Sequence, residues 1–223
     1  ISNTVSKFNT VFGNNILNTT QSGSDYNVGV GYNVLTNITS GAINIGIGSW
    51  TGNKITSGNG NIAIGPSTFT SNTTGNDNIA IGRNALQKLD DNYNSVYGSY
   101  SLQYIQKGEQ NSAFGYKAGI DVSNSLTIDY NTFIGAYTGF DFSANTHSYS
   151  TALGYGAKIT DSRQIMLGTA SETIVAPGKT TLGNDVFIGA GAKIIGGITV
   201  GDNVKIGANA VVVKSIPSNV TAV

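Results

Sequence analysis

Asn61-Ile62-Ala63-Ile64-Gly65 is followed seventeen residues later by Asn78-Ile79-Ala80-Ile81-Gly82, and preceded at the same interval by Asn44-Ile45-Gly46-Ile47-Gly48. Each copy alternates large, tiny and large apolar residues, the period-two pattern of a short strand. The closing glycine recurs as Gly13, Gly31, Gly48, Gly65, Gly82, Gly98, Gly115, Gly135, Gly154 and Gly168, at steps of 14 to 20 residues. That step is too long for a heptad and too short for a two-helix repeat. The residue before the glycine is apolar or aromatic in every copy, from Phe12 to Leu167, which predicts that this side of the strand is built for burial.

After the glycine a second short pattern follows, as in Tyr32-Asn33-Val34-Leu35 and Arg83-Asn84-Ala85-Leu86, and then a polar turn such as Thr56-Ser57-Gly58-Asn59-Gly60. The unit reads as strand, tight corner, strand and loose turn. Stacking such units in parallel gives a solenoid, and ten coils at the spacing of neighbouring strands span about 48 Å. Asparagine stands four places before the glycine in most copies, including Asn44, Asn61, Asn78 and Asn111. Amides at one corner of successive coils predict a polar ladder. Gly48, Gly65, Gly82 and Gly115 predict a left-handed or crowded backbone at the next corner.

From Leu182 the period changes to six. The leading residues are Leu182, Ile188, Ile194, Val200, Ile206 and Val212, and a second apolar series, including Ile198 and Val204, falls four places after them. Three six-residue faces make one triangular turn, so the stretch through Pro217 makes two coils. A prism this short has little interior of its own. The expected organisation is a repeat head or shaft over 1–168, a joint over 169–181 at Pro177-Gly178, and a trimerisation cap over 182–223 held by Ile188, Ile194, Ile198, Val200, Val204, Ile206 and Val212.

The chain has 223 residues, 12 basic and 12 acidic, with 30 glycines and no cysteine. Disulfides and thiolate metal sites are thereby excluded. No dense basic block is present for a phosphate backbone, so no nucleic-acid partner is expected, and no apolar run is long enough for a membrane span. The chain opens on Ile1 without a methionine, which reads as a fragment or a processed chain.

The first region resembles the head repeats of trimeric autotransporter adhesins, most closely at 61–65, 78–82 and Ser150-Thr151-Ala152-Leu153-Gly154. Its longer steps are similar to the expanded repeats of phage and large-virus fibre proteins. Val186-Phe187-Ile188-Gly189-Ala190-Gly191-Ala192-Lys193 and Gly201-Asp202-Asn203-Val204-Lys205-Ile206-Gly207-Ala208-Asn209-Ala210-Val211-Val212 resemble the C-terminal coils of serine O-acetyltransferases. That family is trimeric and places coenzyme A between adjacent subunits. The two resemblances imply an all-β fold: a left-handed parallel β-roll or β-solenoid followed by a short left-handed hexapeptide β-helix, in an intertwined or side-by-side homotrimer.

The family's catalytic histidines lie on coils that precede this segment, and the approach Ala176-Pro177-Gly178-Lys179-Thr180 contains none. Acetyl transfer needs a general base, and the one histidine, His147, lies far back in the first region. The expectation is therefore a non-enzymatic trimeric fibre or adhesin on a virion surface, or tail or capsid fibre, that attaches to a host-cell glycan or protein receptor. A passive structural fibre, a spacer on a bacterial outer surface and an acyltransferase-related protein are the alternatives. No catalytic residue, cofactor or metal is assigned.

Receptor contacts are expected where the repeat is least regular: Asp90, Asp91 and Tyr93, Tyr100, and the insertions 121–130 and 140–149 with Asp129, Tyr130, Asp141, His147 and Tyr149. Tyrosine beside Asp and Asn suits a saccharide, although padding of the coils accounts for the same insertions. Trp50 takes a place where most repeats put a small or polar residue, which makes it a sugar platform or a contact between subunits. Asn18, Asn37, Asn72 and Asn219 satisfy the glycosylation pattern, which arises easily in so Asn/Thr-rich a chain.

Overall fold

The computed structural model describes residues 8–19, 23–119, 127–141, 147–169, 174–176, 180–189 and 191–222. They form β-strands, turns and bends without a helix, and the chain divides into units Ile1–Thr169 and Ala170–Val223.

In the first unit the strands run in sequence order through a ten-stranded parallel sheet from Thr10–Asn14 to Ile165–Leu167. Ile45 pairs with Ile62 and Ile62 with Ile79, and Ile47, Ile64 and Ile81 are in register in the same way. Each signature thus occupies one rung of a parallel β-solenoid. Neighbouring rungs are joined by bonds such as Ile62 N–H to Asn78 O (2.8 Å) and Gly65 N–H to Ile47 O (2.8 Å).

The sides of the strand are the reverse of the sequence expectation. The small middle residues Ala63, Ala80, Ala113 and Ala152 are buried, whereas the large residue before the glycine faces outward, with Leu153 43% exposed. Volume is the reason. The facing column supplies Leu35, Phe69, Leu86 and Leu102, all fully buried, and a coil this narrow holds large side chains from one side only. A Cβ on Gly46 would lie 2.5 Å from Val34 Cγ1 and 3.0 Å from Leu35 Cγ. Where the facing residue is Gly119, the strand supplies Phe133, and Phe133 and Phe140 meet edge to face at 5.3 Å.

Two corners flank each strand. The residue before the ladder position is left-handed even when bulky, as at Tyr26, Ile43, Tyr93, Tyr130 and, before Ser150, Tyr149, and so is the residue two places after the glycine, as at Trp50, Tyr100, Lys117 and Tyr137. The glycines themselves lie between these corners at φ +125° for Gly65 and +142° for Gly48. A Cβ on Gly65 would meet Gly82 C at 2.8 Å and O at 2.9 Å, so the backbone above leaves no room for a side chain.

In the second unit the strands fall on three faces. Thr181 and Leu182 pair with Thr199 and Val200, Phe187 and Ile188 with Lys205 and Ile206, and Lys193 and Ile194 with Val211 and Val212. These three registers advance eighteen residues, three faces of six, whereas the next coil, in which Lys205 pairs with Thr221, advances sixteen. Strand Ile174–Ala176 adds antiparallel to Thr180–Leu182. Ile198, Val200, Val204, Ile206 and Val212 form the core, with Leu182, Val186, Ile194 and Ile216 partly buried against it. Ile188 points outward and is exposed.

Candidate functional site

The asparagine column is a continuous buried ladder. The backbone N–H and Nδ2 of Asn61 donate to Asn44 Oδ1, both at 3.0 Å, and Nδ2 also donates to Gly75 O at 2.8 Å. Asn61 Oδ1 accepts the same pair of bonds from Asn78 at 3.1 and 3.0 Å. The pattern runs through Asn94 and Asn111 to Asn131, where Ser150 N–H donates to Asn131 Oδ1 at 3.1 Å. With donors and acceptor spent between rungs, these amides position backbone and leave nothing for a ligand.

The residues singled out for receptor contact do not converge on one place. Tyr93, Tyr130 and Tyr149 stand at the corner before the strand, Trp50 and Tyr100 at the corner after it. Tyr130 stacks on Tyr149 at 4.7 Å and 6°, with the Arg163 guanidinium 5.8 Å over Tyr149, and Trp50 meets Tyr32 edge to face at 5.8 Å. Asp141 is exposed. Residues 120–126 and 142–146 of the two insertions lie outside the described residues.

The acidic residues are engaged with backbone. Asp90 accepts from the N–H groups of Thr73 (2.9 Å), Thr74 (2.9 Å) and Gly75 (3.2 Å), and from the Thr73 hydroxyl. Two coils earlier, the equivalent N–H groups of Thr39, Ser40 and Gly41 donate to Thr56 O instead. Burial alone would raise Asp90, but these bonds outweigh it and hold the carboxyl below the usual carboxylate range. Burial, and then the Glu109 carboxyl beside it, push Asp91 up. Asp129 Oδ1 accepts from Glu109 N–H at 2.9 Å. Among the described residues no group of three or more His, Asp or Glu is placed to hold a metal.

His147 is only 13% exposed on its side chain and tilts against Phe140 at 5.8 Å. Its Nδ1 lies 3.9 Å from Asp161 Oδ1, and its Nε2 is buried with no hydrogen-bond partner among the described residues. Asn72, one of the glycosylation matches, is fully buried, and both of its amide atoms are likewise unpartnered among the described residues. Neither feature is marked by the sequence motifs, because each depends on which column of the coil the residue joins.

The second unit carries a groove of about 270 Å³ lined by Ala210 to Ile216 and Ala222. Its floor is apolar, and Lys214 and Ser215 stand exposed at its edge. Strand Val211–Val212, which lines the groove, pairs with Lys193–Ile194 alone among the described strands.

Residues 179–214 match the family described as bacterial transferase hexapeptide (six repeats). This finding overturns the expectation of a non-enzymatic fibre or adhesin. The acyltransferase-related alternative has the better support. The match covers the coils just described and stops short of the first unit's repeats. No curated protein matches the chain. Among solved structures, the polySia-specific acetyltransferase NeuO is similar at 13% identity over 94% of this chain and 70% of that one, with a TM-score of 0.18, too low to carry an argument about fold or chemistry.

Proposed function

We propose that this chain is an acyltransferase-type protein whose hexapeptide coils hold an acyl-thioester donor of the acyl-coenzyme A kind. The match of 179–214 to a transferase hexapeptide family carries the reading. The groove beside Val211–Val212 supports it: an apolar floor suits a thin arm, and Lys214 supplies a cation for phosphate. In the transfer, an acceptor hydroxyl or amine attacks the thioester carbonyl, its proton passes to a base, and the thiol leaves.

The serine O-acetyltransferase likeness of 186–193 and 201–212 extends the proposal to a homotrimer with the donor between adjacent copies. The outward apolar columns of the first unit, from Phe12 through Ile47, Phe114 and Leu153, support self-association, since so long an exposed apolar strip marks an interaction surface.

Thiol release from acetyl-coenzyme A, followed with a panel of hydroxyl and amine acceptors, tests the reading, together with calorimetric titration of coenzyme A. Lys214→Glu is expected to weaken coenzyme A binding at least tenfold. Absence of both coenzyme A binding and thiol release above background would refute it.

A further inference from the structure

We infer that the corner after the strand in the first unit is a binding strip for a carboxylated polysaccharide. Four tyrosines from four successive coils, Tyr100, Tyr116, Tyr137 and Tyr155, touch edge to face at 5.9, 5.5 and 5.7 Å. They form an unbroken aromatic file along the stacking direction. Tyr116, Tyr137 and Tyr155 are 44, 37 and 67% exposed, so the file is open to solvent. The Lys117 ammonium lies 5.4 Å over Tyr116 and 5.6 Å over Tyr137, which places a cation in the middle of it.

The backbone sets this display. Tyr100, Lys117 and Tyr137 are left-handed at φ +61°, +53° and +59°. Asn33 and Asn84 occupy the same place in other coils, and asparagine is the residue that suits the conformation. Bulky residues there cost backbone energy that the coil itself does not require.

Charge is sorted on the same side. From each glycine to the following turn, the described segments of the nine coils beginning at Gly13 through Gly154 carry Lys54, Arg83, Lys88, Lys117 and Lys158 against one carboxylate, Asp141. Asp25, Asp77, Asp90, Asp91, Glu109, Asp129 and Asp161 fall in the turns before the strand, where Lys107 and Arg163 are the basic residues. A ligand that runs along the file therefore meets aromatic surface, phenolic hydroxyls and positive charge. A sugar polymer answers to this: its C–H faces lie on rings, its hydroxyls bond to Tyr oxygens, and its carboxylates meet Lys117. One coil per sugar unit keeps polymer and protein in step.

Single-stranded nucleic acid also stacks on aromatics, but it fits less well. Rings in mutual edge contact leave no slot for a base, and one central lysine does not match a phosphate on every nucleotide. The strip stands apart from the acyl-transfer reading, because binding is read without any acyl donor.

The test is titration calorimetry of the full chain with polygalacturonate, dextran and oligothymidylate, alongside Tyr116→Ser, Tyr137→Asn and Lys117→Asn. Ser49, Ser99, Asn33 and Asn84 already hold these positions in sister coils, so the variants are expected to fold, as circular dichroism checks. Polygalacturonate is expected to bind, at least tenfold more weakly to each tyrosine variant. Lys117→Asn is expected to lose the preference for polygalacturonate over dextran. No polysaccharide binding, tighter binding of oligothymidylate, or binding unmoved by all three substitutions overturns the inference. So does a fall in sedimenting mass in the tyrosine variants, which would assign the strip to a second copy of this chain.

Discussion

Replacing Asn72 with isoleucine is expected to stabilise the first unit. Asn72 stands where the coils before it place Ile38 and Ile55 and the coil after it Leu89, all fully buried, and it is fully buried itself. The equivalence is fixed by the bonding of the next residue, since Thr39 and Thr56 N–H donate to Thr56 and Thr73 O. Both amide atoms of Asn72 lack a partner among the described residues, and an unsatisfied buried polar group costs about 1–3 kcal/mol. Taking about 2 kcal/mol for relief of the unpaired amide and about 1 kcal/mol for the apolar surface buried in its place, Asn72→Ile gains roughly 3 kcal/mol. In a unit of this size each kcal/mol moves the midpoint by about 2–4 °C, so a rise of roughly 6–12 °C is expected. Differential scanning calorimetry reads it, assigned to the first unit because two units need not melt together. Gly75 follows Asn72 at the interval by which Gly41 and Gly58 follow Ile38 and Ile55, so isoleucine meets the same local backbone as in the coils before. An unchanged or lowered midpoint would refute the reasoning and mean that the amide is satisfied in solution. Asn72→Asp, which would bury a carboxylate in the same place, is expected to lower the midpoint.

Other outcomes follow from the same contacts. Asn78→Leu removes the acceptor for Asn94 N–H and Nδ2 (3.0 and 3.2 Å) and the donor to Asp91 O (2.7 Å), and should cost about 3 kcal/mol or more in urea unfolding. Gly65→Ala drives a Cβ into Gly82 backbone at 2.8 Å from a φ of +125°, and should lower the midpoint by an amount equivalent to about 3 kcal/mol or abolish soluble expression. Asp90 has a depressed folded pKa, so its contribution is present above the unfolded carboxylate value of about 3.9 and fades as pH falls through the folded value. Asp90→Asn should therefore melt below the parent at pH 7, with the gap closing as pH is lowered toward 3.

The rungs were legible because Asn and Gly keep phase across uneven steps. Asn61 and Gly65 occupy the same two places in the coil as Asn111 and Gly115 although the intervening coils differ in length. Which strand face points inward was not legible. Ile62-Ala63-Ile64 is apolar on both faces, and the choice is made by volume, since Leu35, Phe69 and Leu86 have already filled the interior. Left-handed tyrosines at 93, 100, 130 and 137 were also hidden, because bulky residues rarely adopt that conformation and only the stacked backbone imposes it. The transferase likeness was plain in 186–193 and 201–212. The absence of a histidine from Ala176-Pro177-Gly178-Lys179-Thr180 does not cancel that likeness, because the apolar columns and glycines carry it.

Every strand of the large sheet bonds only to the rungs directly before and after it, and the asparagine amides all point their acceptors the same way along it. Length is therefore a free variable for this architecture. Duplication or loss of one whole seventeen-residue repeat preserves every remaining contact after a single splice, so relatives of different reach can arise by unequal copying of the gene without any redesign of the joint between repeats.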